Sequence, residues 1–258
     1  MGISLEKIEK EAPQLIDLAK KADVSLKKAN LKQHRAKVAL CLDISGSMSS
    51  LYSSGKIQQF AERILALGCQ FDDDGAINIF LFGANSHDAG DMNLRNFQNF
   101  IGNLQQRYPL EGGTYYGKVI KTIRNYYFPG TVSEPTTGMF GGLFGRGGNQ
   151  PQKEPIASSQ PVYVMFVTDG ASMDRQVTEE QLTRASYEPI FWQFMAIGSG
   201  NFAFLEGLDN LKNRYIDNAD FFSVSNPLAF SDDKLYDKLM TEYPNWLKMA
   251  KSKGLLMD

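Results

Sequence analysis

The sequence predicts an α/β protein: a Rossmann-like, doubly wound, mostly parallel sheet flanked by helices, with a helical extension at its N-terminus. Three observations predict it. Four short runs, VALCLD (38–43), AINIFLF (76–82), VYVMFVT (162–168) and IFWQFMAI (190–197), are almost continuously apolar, the pattern of strands covered on both faces. Segments with helical apolar spacing separate them. The 258 residues, 43 % apolar and 22 % charged, supply a core large enough for one such domain.

Each element follows from local pattern. Residues 3–30 read as helix, with Ile3, Ile8, Leu15, Ile16, Leu18 and Ala19 recurring between lysines and glutamates. Pro13 breaks this helix or opens its second half. The first strand, Val38–Asp43, is followed by a helix over Lys56–Cys69 and a strand over Ala76–Phe82. Helices are expected over Leu94–Arg107 and Tyr115–Tyr127. After the strand Val162–Thr168, a helix over Thr178–Ser186 opens with a Thr178–Gln181 capping pair. The strand Ile190–Ile197 precedes a helix over Phe202–Leu211. A last strand falls within Arg214–Val224, and a closing helix covers Asp232–Lys251. The chain thus divides into an extension, residues 1–35, and a domain, residues 36–258.

One segment departs from this rhythm. Residues 129–161 carry seven glycines between Gly130 and Gly148, and prolines at 129, 135, 151, 155 and 161. Such a connection is long for a compact domain and reads as a flexible surface insertion. Its tip holds Met139, Phe140, Leu143 and Phe144. These either tuck loosely onto the body or form an exposed finger that docks a partner or touches a membrane.

Composition narrows the function. Net charge is −2 and the pI is near 5.8, without the basic excess of a nucleic-acid binder or a polybasic membrane anchor. No run reaches the ~18–20 apolar residues of a membrane span. The N-terminus lacks the apolar stretch of a signal peptide, and Glu6 stands where a myristoylation signal needs Ser or Thr. Cys41 and Cys69 sit in apolar runs as core thiols, which fits a reducing, cytoplasmic setting.

In open α/β sheets, ligands bind beyond the carboxyl ends of the strands. The first strand ends in Asp43-Ile44-Ser45-Gly46-Ser47. Alternation along this turn can aim Asp43, Ser45 and Ser47 at one point, while Gly46 lets the backbone bend. Two later turns can complete the cluster: Gly112-Gly113-Thr114 offers a hydroxyl and Val167-Thr168-Asp169-Gly170 a second carboxylate. Hydroxyl and carboxylate oxygens are hard ligands suited to Mg²⁺ or Mn²⁺, with Ca²⁺ a weaker fit. The competing reading is that Asp43, Ser45 and Ser47 cap the following helix.

DISGS, GGT and TDG, in this order, resemble the metal-ion-dependent adhesion site (MIDAS) of von Willebrand factor A (vWA) domains. Asp43, Ser45, Ser47, Thr114 and Asp169 match it at all five positions. Residues 36–251 further resemble the vWA domain of TerF-type tellurium-resistance proteins, on the stretches YEPIFWQFMAIG, IDNADFFSV and YPNWLKMAKSKG. TerF-type proteins often carry a TerD-like domain ahead of this one, and none is expected in the roughly 35 residues before the first strand. The glycine-rich insertion is an addition to a minimal vWA domain.

The resemblance implies that Ser45, Ser47 and Thr114 ligate a metal directly and that Asp43 and Asp169 act mainly through bound water. It also implies a coordination position open to a partner's Asp or Glu. The expected function is therefore a non-enzymatic, metal-dependent protein-binding module in a bacterial tellurium-resistance or stress-response complex. Ser49, Tyr52, Tyr115, Tyr116, Asp174 and Arg175 border these turns and are expected to shape the partner surface, together with Phe140 and Phe144 of the insertion. Two rival classes remain: a hydrolase or phosphatase using the same ion, and a scaffold docking through residues 129–161.

Weaker signals resolve against chemistry. Asp72-Asp73-Asp74-Gly75 lacks EF-hand spacing and reads as a solvated turn. Gly198-Ser199-Gly200 lacks the glycine spacing of a nucleophile elbow. His34 and His87, the latter in a polar turn, offer a triad only by chance. No P-loop pattern occurs.

Overall fold

The structure, a computed structural model, describes residues 2–131 and 154–257. The N-terminal extension forms α1 (Leu5–Glu11), one 3-10 turn over Pro13–Leu15, and α2 (Ile16–Lys28). Ser4 Oγ accepts from Lys7 N and caps α1. Pro13 begins the turn that divides the two helices, as the missing N–H of proline favours at a helix start.

The central strand β1 (Lys37–Asp43) leads through a 3-10 turn, Gly46–Met48, into α3 (Ser49–Ser53) and α4 (Lys56–Phe71). Then come β2 (Ala76–Phe82), β3 (Ser86–Asn93), α5 (Phe100–Arg107) and α6 (Tyr116–Tyr127). Past the insertion lie β4 (Val162–Thr168), α7 (Arg175–Ala185), β5 (Ile190–Ile197), α8 (Ala203–Asp209) and β6 (Ala219–Val224). The chain closes with α9 (Asp232–Leu239) and α10 (Tyr243–Ser252).

The six strands lie in the order β3-β2-β1-β4-β5-β6. All pairings are parallel except β2–β3. Side-chain alternation sends each strand's residues to two cores. Val38, Leu40 and Leu42 face the layer of α2, α4 and α9, while Ala39 and Cys41 face the layer of α6 and α7. Strands covered on both faces explain the nearly unbroken apolar runs. The strand order reverses between β1 and β4, which opens a crevice at their carboxyl ends.

Several expectations are corrected. β3 was not foreseen. In SHDAGDMN only Ala89 and Met92 are buried, because this antiparallel strand lies at the sheet edge. His87 therefore sits in a strand, not a turn, and its Nε2 meets Glu111 Oε1 at 2.7 Å. The helix expected from Thr178 begins at Arg175, so Thr178 lies inside it and its hydroxyl donates to the Asp174 carbonyl. The closing helix is two, since Pro244 sits in the first turn of a new helix. Asp72 is buried and paired with Lys37 and Arg35, so only part of the acidic turn is solvated. Among the described residues, no helix is long and apolar enough to cross a membrane. Met139, Phe140, Leu143 and Phe144 lie outside the described residues.

Candidate metal centre

Asp43 is the last residue of β1 and is fully buried. Its Oδ1 accepts from Ser45 N at 2.7 Å and its Oδ2 from Thr168 Oγ1 at 2.6 Å. The register that pairs Leu42 with Val167 places Asp43 level with Thr168. Burial pushes the Asp43 carboxyl up to about 6, aided by the negative charge of Asp169 and opposed by the hydrogen bonds from Ser45 and Thr168.

The turn after β1 is held in place by backbone bonds. Ile44 N donates to Phe82 O, Glu111 N to Ile44 O, and Gly46 N to Glu111 O. These bonds dock the Glu111–Thr114 loop against the Ser45 turn. Within the turn, Ser45 Oγ and Ser47 Oγ lie 3.0 Å apart, and Ser47 Oγ donates to Asp169 Oδ1 at 2.7 Å. Ser45 is buried, Ser47 exposed and Asp169 half-buried, so the cluster opens to solvent on the side of Ser47 and Asp169.

Thr114 is buried beside the same turn. A Cβ placed on Gly170 would lie 3.6 Å from Thr114 Oγ1, which brings that hydroxyl against the Asp169-Gly170 bend. The Thr114 carbonyl accepts from Met173 N at 2.8 Å, tying the two loops together. The structure thus gathers Asp43, Ser45, Ser47, Thr114 and Asp169 at the strand-order reversal. In the capping alternative these oxygens would satisfy helix N–H groups. Instead no side chain caps α3, and the serines meet each other and Asp169.

The donor set fits a hard divalent cation. Around an ion bound to oxygen at about 2.1 Å in octahedral geometry, neighbouring oxygens lie about 3 Å apart. The Ser45–Ser47 separation, 3.0 Å, is of that size, and Asp169 Oδ1 accepts from Ser47 Oγ at 2.7 Å.

The residues expected on the partner surface divide. Ser49 and Arg175 are exposed and Tyr115 is half-buried. Tyr52 and Tyr116 are corrections, since both are buried. Tyr52 donates to the Asp43 carbonyl at 2.9 Å, and Tyr116 donates to Gly170 O at 2.6 Å. Burial drives both phenols upward from their ordinary range. Asp174 is a third correction. Its carboxylate accepts from Gly117 N, Lys118 N and Ser172 Oγ, so it caps α6 instead of facing a partner.

Sequence reasoning missed Thr168, although the TDG motif is read from its position. A strand register would have found it. It also missed the exposure of Met173, held next to Thr114, which no local pattern announces. A separate trio, Asp209, Asp220 and Glu242, brings carboxylate oxygens within 4.8 Å of one another. Burial and the neighbouring charges push the Glu242 carboxyl up to about 7.

The family model vWA-TerF-like, the vWA found in the TerF C terminus, matches residues 35–157 and 149–256. The protein YcbR of Bacillus subtilis (strain 168) is 34 % identical over 247 residues, covering 94 % of this chain and 90 % of YcbR. Proximal thread matrix protein 1 from the mussel byssus superposes with a TM-score of 0.52 at 16 % identity, over 80 % of this chain and 47 % of that one. The likeness therefore spans less than half of the mussel protein. The manganese-loaded TRAP protein of Plasmodium vivax superposes with a TM-score of 0.50 at 12 % identity, over 82 % and 74 % of the two chains. At those identities the structural likeness is one of fold.

Proposed function

We propose that this chain, which belongs to the vWA family in the form found at the TerF C terminus, is a metal-dependent protein-binding module. Asp43, Ser45, Ser47, Thr114 and Asp169 hold the ion, Mg²⁺ or Mn²⁺ by the hardness of their oxygens. The observation that carries this reading is the continuous oxygen contact from Ser45 to Ser47 to Asp169, at 3.0 and 2.7 Å. When bound, the ion supplies an electrophilic coordination position for an Asp or Glu carboxylate of a protein partner.

The residues divide the work. Ser45, Ser47 and Thr114 are neutral donors, so they leave the cation's charge largely unquenched. Asp43 is locked at both oxygens by Ser45 N and Thr168 Oγ1 and contributes its negative charge from a fixed position. Asp169, nearer the mouth, contributes the second charge. Gly46 and Gly112 have open space where a Cβ would stand, so a partner backbone can approach.

The reading is non-enzymatic. The hydroxyls packed on the cluster, Tyr52 and Tyr116, are occupied by internal hydrogen bonds and held in their protonated form by burial. Neither is disposed to act as a general base. The family points to a tellurium-resistance or stress-response complex, and the buried Cys41 and Cys69 fit a cytoplasmic setting. Residues 1–35 serve as an extension packed on the domain formed by residues 36–258.

The test is affinity capture of partners from bacterial extract in Mg²⁺ and in EDTA, with wild type and Asp43→Ala side by side. The module retains partners with wild type in Mg²⁺ only. Equal capture in EDTA would sink the metal-bridge reading. Turnover of phosphate esters by wild type, lost in Asp169→Ala, would replace it with a hydrolase.

A further inference from the structure

The mouth of the cluster is asymmetric. On the side of the Ser45 turn, the exposed residues are small and polar: Ser47, Ser49 and Ser50. Beside Thr114 stand Tyr115 and Met173, with Val177 next to Gly117 in the first turn of α6. Met173 is 64 % exposed, the highest value for a large apolar residue among those described, and Val177 is 42 % exposed. Solitary exposed apolar residues are ordinary, but a contiguous set bordering a binding cleft marks a contact surface.

Tyr115 and Met173 form one rim, and Val177 lies against α6, one turn further along. A Cβ placed on Gly113 would lie 2.9 Å from Tyr115 Cε2 and 3.3 Å from Met173 Sδ, so both side chains overhang the glycine before Thr114. A Cβ on Gly117 would lie 2.7 Å from Val177 Cγ1, which places Val177 over the first turn of α6. The Met173 backbone is fixed by its 2.8 Å bond to the Thr114 carbonyl. Its thioether is thus anchored at one end and free at the other, a flexible apolar surface that adapts to a ligand.

Two exposed cations stand near the rim, while the Asp174 carboxylate between them is spent on the N–H groups of α6. Lys118 Nζ sits 4.1 Å from the centre of the Tyr115 ring, and the Arg175 guanidinium lies 5.1 Å from that of Phe204. Lys118 Nζ also donates to Ala84 O at 2.8 Å, and both exposed cations add positive charge that favours an acidic segment.

We propose that Met173, Tyr115 and Val177 read the residue beside the captured carboxylate. The partner is then an extended peptide segment in which an Asp or Glu has a bulky apolar residue within two positions. This inference rests on the carboxylate-bridging reading above and adds a second determinant to it. The carboxylate supplies attachment, and the rim supplies selectivity between acidic segments.

The test uses the full chain and immobilised synthetic decapeptides with one central Asp or Asn, each flanking position varied singly, probed in Mn²⁺ and in EDTA. Wild type prefers Leu, Phe or Met over Ser beside the Asp by about tenfold, and all binding is lost in EDTA. Met173→Ser, a change at an exposed side chain, binds Mn²⁺ as wild type does and still selects Asp over Asn. Its apolar preference falls below about twofold. Metal-dependent selection of Asp with no apolar preference, or an unchanged preference in Met173→Ser, overturns the inference and leaves the carboxylate bridge standing. Loss of any Asp-over-Asn selection in Mn²⁺ overturns both. Metal-dependent sedimentation with phosphatidylserine vesicles, without peptide selection, replaces the peptide with a lipid surface.

Discussion

Thr168 Oγ1 donates a 2.6 Å hydrogen bond to Asp43 Oδ2 across the β1–β4 boundary. Both residues are fully buried, and neither can turn away without leaving a polar group unsatisfied. Thr168 therefore sets the orientation of the most buried carboxylate of the candidate metal centre. Replacing it with the near-isosteric valine removes that bond while keeping the strand. The expected outcome for Thr168→Val is a fall in Mn²⁺ affinity of about 10–100-fold, the usual effect of losing a group that orients a metal-site residue. Calorimetric titration of both proteins measures it.

Asp174 joins two loops through a helix end. Its carboxylate accepts from Gly117 N at 3.1 Å and Lys118 N at 3.2 Å, satisfying free donors at the start of α6, the helix that follows Thr114. Asp174→Ala should cost about 1–2 kcal/mol in urea unfolding. Asp174→Asn, which keeps an acceptor oxygen, should cost less. Equal losses in the two variants would argue against the capping role.

Arg124 and Glu188 form an ion pair with no solvent exposure, with Arg124 Nε donating to Glu188 Oε2 at 2.8 Å. Gln181 and Thr131 add further bonds to it. Arg124→Met removes the cation against which the carboxylate is buried and should cost about 3–5 kcal/mol. The double variant Arg124→Met/Glu188→Leu should recover much of that loss, because neither charge then needs burial. Urea midpoints of the three proteins decide it.

His34 gives a pH dependence of definite sign. Its ring packs on Phe71 and Tyr243, and burial, with the charge of Lys251, lowers its pKa to about 4. The unfolded chain takes up that proton near pH 6.5, as an unperturbed imidazole does, while the folded chain does not until about pH 4. Acid therefore destabilises the fold through this group as pH falls across that window, by at most about 1.4 kcal/mol per pH unit. Asp43 and Glu242 have raised carboxyl values and pull in the opposite direction. The effect is read as the difference between wild type and His34→Gln, whose stabilities should diverge below pH 6.5 to the disadvantage of wild type. Parallel pH curves would contradict it.

The sheet's buried strands were legible because double-sided coverage leaves near-continuous apolar runs, as in Val162–Thr168. β3 was not legible, because an edge strand with two buried side chains carries no such run. The five candidate ligands stood out because oxygen-bearing residues cluster at strand ends and helix starts. Thr168 was hidden although it ends β4, since only the pairing with β1 reveals what it faces. Tyr52 and Tyr116 looked like surface residues from their neighbours in sequence, yet helix geometry turns both rings inward. Met173 carries no local signal at all, because exposure is a property of the assembled loops.

The central claim is that Asp43, Ser45, Ser47, Thr114 and Asp169 form one divalent-cation site. Calorimetric titration of Mn²⁺ into the full chain, alongside the double variant Ser45→Ala/Ser47→Ala, tests it most directly. The account predicts one saturable site in wild type, competed by Mg²⁺, and none in the variant, with both proteins equally folded by circular dichroism. Absence of binding in wild type, or the same binding in the variant, would contradict it.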